Sequence, residues 1–455
     1  MILCNPVPTS WNFFRLNVFC LSANISFYIH KSTRQEDMSL SLTFVQKALA
    51  INIGAKSVVP GQIIEASPDG AMSHENAGLV IKQFKEMGAE KVFDREKIHI
   101  IFDHRVPANT DKTAEGQATV RRFVTEQGIR RFHDVGDGVC HQVMVENHYI
   151  KPGLVYVGTD SHTTSYGALS AFSTGIGATE MAAVWATGKI WLRGPETLRL
   201  ILHGKFPKGV YAKDLILQII GDVTAEGANY MAVEFDGEAM ERMSISERFT
   251  LCNLSMEMGA KSAVCPPNKI LQDYLGKDYV DAPWSDPDAG FAGTREYDLA
   301  KLVPVVSAPH QVDNVQPVTA LAGLEINQVF LGSCTNGRED DLSIAAKIVK
   351  GKRIHPRVRL IIAPASRKVM LDSIASGDLA ELIRAGGTII TPGCGPCLGA
   401  HQGLLAAGER ALATSNRNFK GRMGSPDAEV YLGSPATAAV SALTGVITDP
   451  REYVK

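Results

Sequence analysis

Three cysteines carry the first chemical signal in this chain of 455 residues. Cys334 sits in Leu331-Gly-Ser-Cys-Thr-Asn-Gly337, and Cys394 and Cys397 sit in Gly393-Cys-Gly-Pro-Cys-Leu-Gly399. The first motif follows the apolar run Ile326-Asn-Gln-Val-Phe-Leu331, and the second follows Thr388-Ile-Ile-Thr-Pro392. Each run reads as a buried strand that stops at a glycine-containing loop. Three thiolates presented from two such loops can hold an iron–sulfur cluster. A [4Fe–4S] cubane held in this way keeps one iron open to substrate, where it acts as a Lewis acid. Cys394-Gly-Pro-Cys397 also fits a thioredoxin-type redox pair or part of a structural zinc site. A zinc site wants four ligands, and only Cys334 stands out as a third. The redox reading leaves Cys334-Thr-Asn336 and the later Asn-Arg motif without a role.

A second group gathers histidines, two of them close to carboxylates: Asp103-His104, His141-Gln142 and Asp160-Ser161-His162. A carboxylate fixes the tautomer of a neighbouring imidazole and raises its basicity, which suits proton transfer. A single such histidine is commonly only a satisfied polar residue; several at strand ends in one region argue for more. Glu257, in Asn253-Leu-Ser-Met-Glu257, reads by itself as a solvated helix carboxylate, and His74, in Met72-Ser-His-Glu-Asn76, as an ordinary first-turn residue. A third group is Asn416-Arg417-Asn-Phe-Lys-Gly-Arg422. Its two arginines flank a glycine and can converge on one carboxylate through forked hydrogen bonds. The plain alternative is an exposed basic loop.

The elements that must position these groups alternate between strand-like runs and amphipathic helical stretches, which predicts an α/β fold with largely parallel sheets. The strands Ile98–Phe102 and Leu154–Val157 deliver Asp103 and Asp160, and a short run at 410–413 leads into Asn416. Open α/β sheets place ligands at such strand ends. A helix is expected after Ser73, capped by it, marked by Ala77, Val80, Ile81, Phe84 and Met87, and ended by Gly88. Motifs thin out between about 198 and 318, and Pro304, Pro309 and Pro317 near the end of that stretch read as a linker. The expected organisation is an extension over 1–37, then α/β domains over 38–197, 198–318 and 319–455. Apolar content of 45% and a net charge of −2 mark an ordinary globular protein, with no reason to expect nucleic acid or a membrane as partner. Eight cysteines are too few for a disulfide scaffold in a chain this long. A reducing compartment fits better, so the cytoplasm is expected. Residues 1–37 lack acidic residues before Glu36 and offer a mitochondrial presequence or a disordered tail as readings, with Met38 near the natural start.

Taken together the motifs resemble the aconitase superfamily, and within it the isopropylmalate dehydratase and homoaconitase large subunits. The resemblance runs from Met38 to the C-terminus and rests on the motifs above together with Val59-Pro-Gly-Gln-Ile63, Gly138-Val-Cys-His-Gln142, Gly158-Thr-Asp-Ser-His-Thr-Thr-Ser-Tyr-Gly167 and Ser415-Asn-Arg-Asn-Phe-Lys-Gly-Arg422. Glu75 stands where the family often has Asp. The resemblance implies three α/β domains around a [4Fe–4S] cluster held by Cys334, Cys394 and Cys397. It implies that His104, oriented by Asp103, protonates a departing hydroxyl, and that His141 with Asp160 and His162 with Glu257 bracket the reacting oxygen. It places Asn253 and Asn416 near the cluster, and His74, Ser161, Arg417 and Arg422 at the substrate. The implied activity is reversible dehydration of a malate-type hydroxy diacid, 2-/3-isopropylmalate first, with homoaconitate or 2,3-dimethylmalate as alternatives. An iron-sensing, RNA-binding role is the non-enzyme alternative. The swivelling fourth domain of single-chain relatives, which carries the catalytic base, is expected on a separate small subunit.

Overall fold

The computed structural model describes residues 41–454, so the readings of residues 1–37 lie outside it. The first element is the helix Phe44–Ile53. Thr43 and Gln46 form a capping box at its start, and Gly54 ends it in a left-handed conformation. Its buried face carries Phe44, Val45, Ala48 and Leu49.

Three sheets follow in chain order. The first has five strands in the order Arg131–His133, Ile98–Ile101, Gly70–Ser73, Val155–Gly158, Phe172–Gly175, all parallel. The second has four parallel strands in the order Ser262–Val264, Ala232–Asp236, Thr197–His203, Gly293–Asp298. The third has seven strands. Glu429–Leu432, Arg410–Ala413, Gln328–Leu331, Arg359–Ile362 and Thr388–Ile389 run parallel, and Val305–Ser307 and Val315–Pro317 add an antiparallel edge. Parallel pairing requires crossovers, and helices such as Asp111–Gln127, Ala212–Val223 and Glu339–Val349 supply them. A separate antiparallel ribbon pairs Ile63–Ala66 with Ile190–Arg193.

Two local expectations are corrected. The helix expected to start at Ser73 is Ala77–Glu86, and Ser73 instead closes the strand Gly70–Ser73. The period-3.6 pattern marks the buried face correctly at Ala77, Val80, Ile81 and Phe84, but Met87 is exposed at the helix end, and Ser73, wholly buried in the strand, lies too far before the helix to cap it. The proline-rich stretch expected as a linker forms the antiparallel edge of the third sheet. There Val305–Ser307 pairs with both Val315–Pro317 and Leu432. Prolines are tolerated at an edge because no neighbour needs their missing N–H. The buried core also continues across the expected boundaries: Met72, Leu200 and Phe330 belong to one apolar cluster.

The first and third sheets meet at the ends of their strands. The N–H of Cys394 donates to the carbonyl of Asp103 at 2.9 Å. Gly393 makes that approach possible. Its φ is +156°, and a Cβ there would stand 2.6 Å from the Asp103 carbonyl oxygen.

Candidate active site

The loops after Ile98–Ile101, Val155–Gly158, Gln328–Leu331, Thr388–Ile389 and Arg410–Ala413, with the helix Cys140–Glu146, enclose one narrow cleft. It is lined by Asp103, His104, His141, Asp160, His162, Cys334, Cys394, Cys397, Asn416 and Arg422, with Cys140 and Leu398. Five further residues singled out in the sequence stand behind this lining. His74 stacks on His104 with ring centroids 4.1 Å apart. Asn253 donates to Cys334 Sγ at 3.2 Å. Glu257 lies against His162, and Ser161 and Arg417 lie against each other.

One side of the cleft is a network of ion pairs. His104 Nδ1 lies 2.6 Å from Asp103 Oδ1, and Asp103 Oδ2 accepts the N–H of Cys140 at 2.7 Å. The tautomer and orientation of His104 are therefore set from behind, leaving Nε2 3.5 Å from Asp160 Oδ2. Asp160 Oδ1 takes His141 Nε2 at 3.0 Å and the backbone N–H of His162 at 2.8 Å. His162 Nε2 lies 2.8 Å from Glu257 Oε1, which also accepts Arg417 Nε at 2.7 Å. Burial works against the charged form at His104, Asp160 and Glu257, but their partners prevail. His104 is held well above the ordinary imidazole range by Asp103 and its other anionic neighbours. Asp160 is held well below the carboxylate range by hydrogen bonds from His104, His141 and His162. Glu257 is lowered by His162 and Arg417.

The other side presents sulfur. Cys334 Sγ receives the side-chain amides of Asn253 at 3.2 Å and Asn416 at 3.1 Å. Arg422 Nη2 points at Cys397 Sγ from 3.7 Å, and Arg422 Nε is buried without a partner. Cys397 Sγ donates to Asn416 Oδ1 at 3.5 Å, and Cys394 Sγ lies 3.8 Å from Asp103 Oδ2. All three cysteines are free and buried. Burial pushes the Cys334 thiol up to about 12 and raises Cys394 as well.

This donor set fits an iron–sulfur group. Three thiols converge on one cleft, and amides and a guanidinium are directed at sulfur, the acceptors such a cluster would present. Ligand-capable atoms of His74, Glu75, Asp103 and His104 also lie within 4.8 Å of one another. Their carboxylates are engaged already, since Glu75 accepts the N–H groups of His104 and Arg105 at 2.9 and 2.8 Å.

Arg417 and Arg422 do not share a partner. Arg417 is taken by Glu257 and Ser161, and Arg422 faces Cys397. Neither Glu75, noted in the sequence only as a departure from the family's Asp, nor Cys140, part of a longer motif, is given a role there. Their contribution here, through backbone N–H bonds to and from the loops, follows no sequence pattern.

The family model described as aconitase family (aconitate hydratase) matches residues 48–445, and the chain belongs to this family of hydro-lyases. Proteins of the family generally bind a [4Fe–4S] cluster. Among its relatives is a 3-isopropylmalate dehydratase large subunit of Methanopyrus kandleri, 49% identical over 90% of this chain and 99% of its own length. Another, from Methanoregula boonei and named 3-isopropylmalate dehydratase large subunit, is 46% identical over 90% of this chain and 99% of its own. A third, named probable methanogen homoaconitase large subunit, from Methanosarcina mazei, is 50% identical over 85% and 99%. A solved structure, Thermococcus kodakaraensis aconitase X in its holo form, aligns over 82% of this chain and 89% of its own, with a TM-score of 0.45 and 15% identity.

Proposed function

We propose that this chain is the large subunit of a [4Fe–4S] hydro-lyase that moves a hydroxyl between neighbouring carbons of a malate-type diacid, with 2-/3-isopropylmalate of leucine biosynthesis as substrate. The observation that carries the reading is one cleft bounded by three free cysteines and three histidine–carboxylate pairs. Cys334, Cys394 and Cys397 would hold the cluster, leaving one iron without a protein ligand. When bound, the cluster supplies a Lewis acid that weakens the carbon–oxygen bond of the substrate hydroxyl.

The rest is done by the chain's own side chains. His104, kept protonated by Asp103, donates its proton from Nε2 to the departing hydroxyl. His141 with Asp160 and His162 with Glu257 hold the surrounding protons and charges in place. Asn253 and Asn416 orient the sulfurs. Arg422 pairs with a substrate carboxylate, while His74, Ser161 and Arg417 complete the substrate's surroundings. Arg417 acts there chiefly through Glu257, which it already holds. The base that takes the carbon-bound proton is supplied by a separate small subunit, in keeping with relatives named as large subunits. Homoaconitate hydratase is the second reading, favoured by relatives named probable methanogen homoaconitase large subunit. A net charge of −2 gives nucleic acid no purchase. No helix among the described residues is long and apolar enough to cross a membrane. We assign the enzyme to the cytoplasm because buried free cysteines suit a reducing compartment.

The test is anaerobic reconstitution of the full chain, assayed with 2-isopropylmalate, homocitrate and 2,3-dimethylmalate, with and without a candidate small subunit. We expect turnover of 2-isopropylmalate only when both subunits are present. Full turnover by this chain alone would refute the split enzyme. Faster turnover of homocitrate by the pair would transfer the assignment to the second reading.

A further inference from the structure

Lys213 has no part in the chemistry above, yet its placement is costly. It lies in the first turn of the helix Ala212–Val223, in phase with Ile216 and Ile220 on the buried side. Only 1% of it is exposed, and it is the one lysine among the fully buried polar residues described. Burying an ammonium is expensive unless its surroundings repay the lost water.

The repayment comes from one turn. Lys213 Nζ donates to the carbonyls of Thr414 at 2.8 Å and Ser415 at 2.6 Å. That turn joins two loops of the cysteine side. Thr414 Oγ1 accepts the N–H of Gly332 at 3.0 Å and lies 3.2 Å from the Asn336 carbonyl, tying it to both flanks of Cys334. The next residue, Asn416, bridges Cys334 and Cys397, and Arg417 follows with its bonds to Glu257 and Ser161. The nearest carboxylates are committed elsewhere. Asp214 accepts the N–H groups of Tyr211 and Val305, and Asp341 those of Gly337 and Arg338.

Two carbonyls alone do not demand a charge, because a neutral amide also carries two N–H donors. A charge is useful near Cys334 and Cys397, because three thiolates on a cluster core leave the bound group with a net negative charge that a buried cation offsets. We infer that Lys213 is a positioning residue of the cluster site. Its ammonium clamps the Thr414–Ser415 turn, so that Asn416 stays between Cys334 and Cys397, and it offsets the charge of the bound thiolates. This rests on the reading that the three cysteines hold the cluster. Burial lowers Lys213 toward about 7, while Asp341, Cys334 and Cys397 oppose the shift, so lysine and cysteines act on one another's charge.

The experiment compares wild type with Lys213→Arg, Lys213→Gln and Lys213→Met as anaerobically reconstituted full chains. Iron and sulfide per chain, the rate of iron loss to EDTA and the direction of change in midpoint potential are measured, with thermal melts of the iron-free proteins. We expect Lys213→Gln and Lys213→Met to lose iron roughly fivefold faster or more and to be harder to reduce, with Lys213→Arg close to wild type. Wild-type iron loss and potential in either folded neutral variant would overturn the proposal, as would a Lys213→Arg protein no better than Lys213→Met. Loss of the fold in both neutral variants would assign Lys213 to folding alone and also overturn it. A wild type that takes up no iron would instead refute the cysteine reading, and this inference with it.

Discussion

The histidine side and the cysteine side of the cleft are both built from loops at the ends of parallel strands, but their polar groups are satisfied in opposite ways. On the histidine side every carboxylate has a partner. Asp103, Asp160, Glu257 and Glu75 are engaged by imidazoles, a guanidinium or backbone N–H groups. Those contacts hold Asp160, Glu257 and Glu75 ionised and His104 protonated. On the cysteine side the donors point at sulfur, and burial holds the Cys334 and Cys394 thiols in the protonated form. On the proposed function, the first side is in its working charge state as folded, whereas the second would reach its own only when a metal group draws the protons off its thiols, which links metal uptake there to proton release. Folding would then prepare proton transfer, and a bound cluster would add Lewis acidity.

The comparison breaks most completely at Cys334. Cys334→Ser should leave the histidine side intact, with a circular dichroism spectrum like wild type. It should also remove the iron signal after reconstitution and all activity of the assembled enzyme. A Cys334→Ser protein with full iron would revive the redox reading of Cys394 and Cys397. Breaking the other side should be less absolute. His104→Asn should keep its iron and lower turnover by roughly 10²–10⁴, the loss of one general acid, with the Michaelis constant little changed. The pH profile sharpens this. Because folding raises the pKa of His104, the acid is fully present below the ordinary value of about 6.5 and is lost only as pH rises through the elevated one. The alkaline limb for dehydration should therefore lie above that of a free imidazole, and Asp103→Asn should move it toward lower pH. The smallest effect is expected where the two sides meet the substrate. Arg422→Lys should raise the Michaelis constant by roughly tenfold or more at nearly constant turnover, since an ammonium cannot reproduce a planar two-pronged contact. A fall in turnover alone would show that Arg422 acts on the sulfur it faces rather than on substrate.

Much of this was legible in the chain as text. Strand-ending loops with glycine marked where Asp103, Asp160, Cys334, Cys394 and Asn416 would be delivered, because a buried parallel strand is a short apolar run and ligand sites follow its end. The edge at Val305–Ser307 and Val315–Pro317 reads as a linker in sequence, since proline is read locally as a breaker, and only the pairing of these strands with each other and with Leu432 makes it part of the sheet. Glu257 looked like a solvated carboxylate until His162 and Arg417, 95 and 160 residues away in sequence, closed on it. Lys213 could have been flagged, because a lysine in phase with Ile216 and Ile220 breaks an apolar stripe. Its two carbonyl partners lie about 200 residues on and carry no side-chain signature.

What the sequence determined by itself was the chemistry available: three thiols, His104 and His162 with nearby carboxylates, and an Asn-Arg motif, each after a strand whose pattern is local, with His141 on a helix. What only the tertiary structure decided was which groups face which. Arg417 turns to Glu257 and Arg422 to Cys397, and Gly393 lets the cysteine loop rest on the Asp103 carbonyl. The physical reason is range. Strand and helix periodicity are set by neighbours a few residues apart. The charge state of a buried group is set by whatever lies within a few ångströms, which here comes from other sheets.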